Sequence, residues 1–146
     1  MSAGIWTIGY EKLLPGPLVA ELEAAGIERL IDVRYRPQSR RPGMSKTRLG
    51  ALLGEHGIRY EHRRSLGTPP DLRFLYKSGR EQEGAAGYTA HIEATAAAEL
   101  DELAAELDHP PRTALLCLEA DPALCHRRAI TDALRARRPG LHVVDL

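Results

Sequence analysis

Strands alternating with helices predict an α/β fold, a single three-layer Rossmann-like domain with a mostly parallel sheet of about five strands and helices on both faces. Three observations carry this. Apolar or β-rich runs recur at residues 5–9, 30–33, 58–62, 112–119 and 141–146, with helix-compatible chain between them. The run Leu30-Ile31-Asp32-Val33 is apolar on both sides but for one aspartate, as in a strand covered on both faces. Residues 112–138 read as strand, tight turn and helix, the junction at which open α/β sheets bind their ligands.

The first run, Ile5-Trp6-Thr7-Ile8-Gly9, is short, β-rich and closed by glycine. Pro15-Gly16-Pro17 then opens a helix that Gly26 closes, with proline at the start and glycine past the end. In the second strand, alternation puts Leu30, Asp32 and Arg34 on one face. A carboxylate there needs a partner, and Arg34 or Thr7 of a neighbouring strand would serve. Residues 34–43 hold too much proline and charge for regular structure, after which Ser45 is placed to cap a helix carrying Leu49, Leu52, Leu53 and His56 as far as Gly57. Residues 58–62 give a third strand.

From 63 to 88 the pattern is broken by Gly67, Pro69, Pro70, Gly79, Gly84 and Gly87, leaving a short helix around residues 72–76. A connection of that length reads as a lid or partner loop within one domain spanning residues 1–146. Thr89 begins an amphipathic helix with Ile92, Ala96, Leu100, Leu103 and Leu107 on one side and acids on the other, ended by Pro110 and Pro111. After the fourth strand, Asp121 and Pro122 supply the cap and first turn of a helix running to Pro139 and Gly140. Counted from Asp121, its inward stripe is Ala123, Ile130, Ala133 and Leu134, with His126 and Arg127 on the same side and Cys125 off to one side.

Length and composition bound the function. At 146 residues the chain is one ordinary domain, and two cysteines make no disulfide framework. No run of about 18 apolar residues exists, and the first ten residues lack a basic flank before an apolar signal, so the expectation is a cytoplasmic protein off the membrane. Net charge is zero, which argues against a general nucleic-acid coat. The charges are nonetheless segregated: residues 29–48 are basic, whereas residues 81–108 contain no lysine or arginine.

Several pieces form a recognisable set: Thr7-Ile8-Gly9, Asp32-Val33-Arg34 followed by Pro37 and Ser39, Leu66-Gly67, and Cys117-x-Glu119-x-x-Pro122-x-x-Cys125-His126-Arg127. In these the chain resembles, over nearly its whole length, the domain of unknown function 488 family. The resemblance implies a compact α/β domain and carries no established activity with it. One departure matters: the family pattern commonly has histidine and serine after the first glycine, where this chain has Tyr10 and Glu11.

The carboxyl-end loops gather the candidate site. Arg34, Arg36, Arg40 and Arg127, with Tyr10 and Asp32, form a ligand-binding set, because guanidinium groups near a helix N-terminus suit phosphate. The competing reading is internal pairing, Arg34 with Asp32 and Arg127 with Glu119. Glu119, His126 and Cys125 are the catalytic candidates: an imidazole oriented by a carboxylate as general acid or base, or a thiolate at a helix N-terminus. Two cysteines and a histidine at this spacing fall short of a closed zinc site, so no metal is expected. Neither a G-x-G-x-x-G nor a G-x-x-x-x-G-K-[ST] sequence occurs, and no cofactor is implied. The leading expectation is a phosphate-bearing ligand, whether nucleotide, nucleic acid or phosphorylated metabolite, bound at the carboxyl edge by a protein that acts on it as an enzyme or only binds it. A non-catalytic nucleic-acid or protein-interaction module is the alternative, and a thiol- or metal-dependent sensor the third. Oligomeric state is not fixed by the sequence.

Overall fold

A computed structural model describes residues 3–146; Met1 and Ser2, part of the segment read for a signal, lie outside the described residues. The strands β1 (Gly4–Gly9), β2 (Arg29–Asp32), β3 (Arg59–His62), β4 (Thr113–Cys117) and β5 (His142–Asp145) form one sheet in the order β3-β2-β4-β1-β5. Every pairing in it is parallel. The central strands β2, β4 and β1 are neighbours, so the loops that leave their carboxyl ends converge.

Helices cover both faces. On one, Leu18, Val19 and Leu22 of α1 (Pro15–Ala24) and Leu49 and Leu53 of α2 (Lys46–Glu55) pack on Ile8, Leu30, Ala114 and Leu116. On the other, Ile5, Ile31, Leu115 and Cys117 meet three helices, α4 (Glu81–Thr95), α5 (Ala97–Glu106) and α6 (Arg127–Arg137). Strand alternation thus divides β4 residue by residue between two cores, and each buried aliphatic side chain contributes roughly 1.5–3 kcal/mol. Among the described residues no helix is long and apolar enough to cross a membrane.

Three expectations need correction. The segment 63–88 is mostly regular: a short 3-10 turn, Arg64–Leu66, leads into α3 (Pro70–Lys77), and α4 starts at Glu81, well before Thr89. Gly84 and Gly87 lie inside α4, where they admit α3. A Cβ on Gly87 would come within 2.6 Å of Leu72 Cδ2, and one on Gly84 within 3.0 Å of the Tyr76 ring. Second, the stripe of Ile92, Ala96, Leu100, Leu103 and Leu107 is buried as expected, but the helix is broken at Ala96. The Thr95 hydroxyl donates to the His91 carbonyl at 2.8 Å, a contact of the kind that bends helices.

The third correction concerns the junction after β4. Asp121 does cap, accepting Ala123 N–H at 2.9 Å, but it starts only a 3-10 turn, Pro122–Leu124. Cys125 is extended (φ −144°, ψ 173°), and the helix proper begins at Arg127. The inward positions Ile130, Ala133 and Leu134 hold, whereas Ala123 is exposed because it never belonged to that helix.

Candidate functional site

The loops after β1, β2 and β4 meet α3 in a cleft at the carboxyl edge, lined by Tyr10, Arg34, Arg36, Cys117, Glu119, Cys125 and His126 together with Thr68, Arg73, Tyr76 and Lys77. Of the residues singled out in the sequence, six reach it. Asp32 and Arg127 stand behind its wall, and Arg40 is exposed elsewhere. Gly9 allows the loops to meet so closely, since a Cβ there would lie 1.8 Å from the Glu119 carbonyl oxygen.

Arg34 is committed to the protein. Its Nε and Nη2 grip the Asp32 carboxylate at 2.9 and 2.7 Å, and Nη1 donates to the Met44 carbonyl at 2.7 Å and to the Tyr10 hydroxyl at 3.4 Å. Asp32, wholly buried, also accepts from Tyr60 Oη of the neighbouring strand at 2.5 Å; Thr7 is not its partner. Burial opposes the Arg34 charge, yet Asp32 outweighs it and the guanidinium pKa is raised. This is a structural ion pair with its donors occupied. Tyr10 lies under it, its ring centroid 5.2 Å from the Arg34 guanidinium carbon. Arg41 ties down the loop after β1 by donating to the carbonyls of Tyr10, Glu11 and Leu13.

Arg127 is also committed, but differently. It is fully buried, and its Nη1 donates to Thr7 Oγ1 at 2.9 Å and its Nη2 to the backbone carbonyls of Glu119 and Ala120 at 2.5 and 3.2 Å. Neither expected role of the Glu119 carboxylate appears: it does not pair with Arg127, and it does not orient His126. It lies beside Cys117, whose Sγ is 3.8 Å from Oε2. His126 Nε2 instead donates to the Val33 carbonyl at 2.6 Å, and its ring meets Tyr88 edge-on at 5.2 Å. Burial drives the His126 pKa down to about 4, so the ring is neutral at pH 7 and poorly matched to acid or base work there.

Cys125 faces inward, contrary to the angular argument, because it is extended rather than helical. Its Sγ accepts both the backbone N–H and Nε–H of Arg127, each at 3.3 Å. Burial pushes the Cys125 thiol up, but the Cys117 S–H, the Arg127 charge and the Arg127 backbone N–H together outweigh it, and the net direction is down. Burial dominates at Cys117 and holds it as a thiol. Among the described residues, Cys117, Glu119 and Cys125 form the group able to offer a metal one donor atom each, within 4.8 Å of one another. Three donors, with one sulfur already accepting two N–H groups, are fewer than the four a closed site takes.

The short helix expected around residues 72–76 is α3, but its cleft-facing side chains were not among the site candidates. Arg73, Tyr76 and Lys77 share one helical face by their three- and four-residue spacing, a signal that marks a face without showing what it meets. Arg36, Arg73 and Lys77 have no carboxylate within ion-pair reach among the described residues, unlike Arg63, which is held by Glu61 and Glu99. The buried hydroxyls Thr68 Oγ1 and Tyr76 Oη, of residues that line the cleft, have no hydrogen-bond partner among the described residues.

The model of the family described as domain of unknown function DUF488 matches residues 17–134, most of the chain. The chain belongs to the DUF488 family. No curated protein and no solved structure matches it. In this DUF488 domain the segment Cys117 to Arg127 therefore supplies both the floor of the cleft and the guanidinium that pins the floor to β1.

Proposed function

We propose that this DUF488 domain acts in the cytoplasm and binds a phosphate-bearing ligand at the carboxyl edge of the sheet, with Arg36, Arg73 and Lys77 as the anion contacts. The observation that carries the reading is charge left uncompensated in one place. Arg34 and Arg127 are satisfied internally, whereas three cations at the mouth of the same cleft have no carboxylate partner among the described residues. Guanidinium and ammonium groups so placed suit the oxygens of a phosphate. The cleft has a volume of only about 40 Å³, room for a few water-sized molecules, so the phosphate sits at the mouth.

Thermal stabilisation by phosphate, sulfate and nucleotides tests the reading. The expected result is a rise in melting temperature for the parent protein that shrinks in Arg73→Gln and Lys77→Gln and persists in Arg40→Gln. No stabilisation of the parent by any of these anions sinks it. A small ligand held by few residues should show a shallow salt dependence, whereas a nucleic acid contacting many phosphates should lose affinity steeply with salt.

A further inference from the structure

Arg127 is a fully buried cation whose contacts with the cleft are Thr7 Oγ1, two backbone carbonyls and one sulfur. A buried charge needs a countercharge, and of the groups it touches only Cys125 can ionise to provide one. Two N–H groups already point at that sulfur. Beside it, Cys117 brings a second sulfur within 4.8 Å, and the Glu119 carboxylate lies against Cys117. The cleft that Cys117 and Cys125 line has a volume of about 40 Å³, and its lining includes Thr68, itself 5 % exposed, and Tyr76, whose hydroxyls have no partner among the described residues. A molecule of two oxygen atoms fits; a bulky disulfide does not.

We propose that Cys125 and Cys117 form a peroxide-reactive pair, Cys125 as the attacking thiolate and Cys117 as the resolving thiol, with hydrogen peroxide as the substrate. In the first step Cys125 Sγ attacks one peroxide oxygen. The S–O bond forms, the O–O bond breaks, sulfur loses two electrons to the peroxide, and the departing hydroxide takes a proton from solvent to leave as water. The Thr68 and Tyr76 hydroxyls are placed to donate hydrogen bonds to the oxygens during this step. In the second, Cys117 gives its proton to Glu119 and attacks Cys125, the S–S bond forms, and the hydroxide expelled from the sulfenic acid leaves as water with that proton. The sum is two thiols and one peroxide giving one disulfide and two waters. Closure from within 4.8 Å to a disulfide length of about 2 Å falls to the irregular loop between the two cysteines. The proposal does not depend on the anion reading, since it uses none of Arg36, Arg73 or Lys77.

The test is intact mass and peptide mapping of reduced, metal-analysed protein treated with hydrogen peroxide at about one equivalent. The expected product is a Cys117–Cys125 disulfide, two hydrogens lighter, formed about tenfold or more faster at pH 7 than thiol loss in the same chain unfolded in urea, because a free thiol is mostly protonated there. Cys117→Ser should instead gain one oxygen at Cys125 and react with a sulfenic-acid trap; Cys125→Ser should leave Cys117 reduced. The wild-type arm stands whether or not the variants fold. Native thiols reacting no faster than the unfolded chain, oxidation beginning at Cys117, or one tightly held metal per chain that shields both thiols overturns the assignment.

Discussion

Two sets of basic side chains sit within one cleft region, and they differ in what their donors touch. Arg34 and Arg127 are buried, and every assigned contact ends on the protein, Arg34 on Asp32, Met44 and Tyr10, Arg127 on Thr7, Cys125 and two carbonyls. Arg36, Arg73 and Lys77 are exposed or half-buried around the mouth and have no carboxylate partner among the described residues. The difference teaches that the arginines most conspicuous in the sequence motifs are framework. The fold tolerates a buried guanidinium only where its hydrogen bonds are filled, and a filled guanidinium has little left for a ligand.

The largest effects should therefore come from the framework set. Asp32→Asn leaves Arg34 buried against a neutral partner, and Arg127→Met strips two loop carbonyls and a threonine of their donor. Each should lower unfolding free energy by about 3–5 kcal/mol, the usual cost of breaking a buried charged contact, measured by urea denaturation. A loss below about 1 kcal/mol in both would break the comparison, since it would make these arginines dispensable.

Next comes pH. The folded His126 value, about 4, lies below the ordinary 6.5, so the unfolded chain takes up the proton first. Stability from this group is complete above pH 6.5 and is lost as pH falls toward 4, by roughly 3 kcal/mol in all. His126→Gln keeps a donor for the Val33 carbonyl and should remove that slope from the denaturation curves between those two pH values. An unchanged slope would place the titrating group elsewhere.

Gly9→Ala should cost about 1–3 kcal/mol by overpacking, because the added carbon meets the Glu119 carbonyl and must push apart the loops that form the cleft. Smallest of all, Arg36→Gln, Arg73→Gln and Lys77→Gln should each change stability by less than about 0.5 kcal/mol in the absence of ligand. The comparison is sharpened if those same variants lose phosphate-dependent stabilisation, and broken if they destabilise the protein as Asp32→Asn does.

The sequence by itself determined the sheet, its parallel sense, the need of Asp32 for a partner, with Arg34 and Thr7 as the candidates, and the edge at which the polar residues gather. Those follow from period-two and period-3.6 patterning, from proline and glycine at helix ends, and from the cost of a lone buried carboxylate. Tertiary structure alone decided three things. Gly84 and Gly87 look like breaks until Leu72 and Tyr76 are seen packed against them, so the helix around residues 72–76 is legible but the α4 packing that makes it a cleft wall is not. The backbone at Cys125 is extended rather than helical, and that one residue's conformation turns its sulfur inward toward Arg127. Finally, Arg127 bonds to the carbonyls of Glu119 and Ala120 and to Thr7 on a strand more than a hundred residues away. A chain's local pattern can announce that a buried arginine needs partners, but which atoms answer is settled by how the strands are ordered in the sheet.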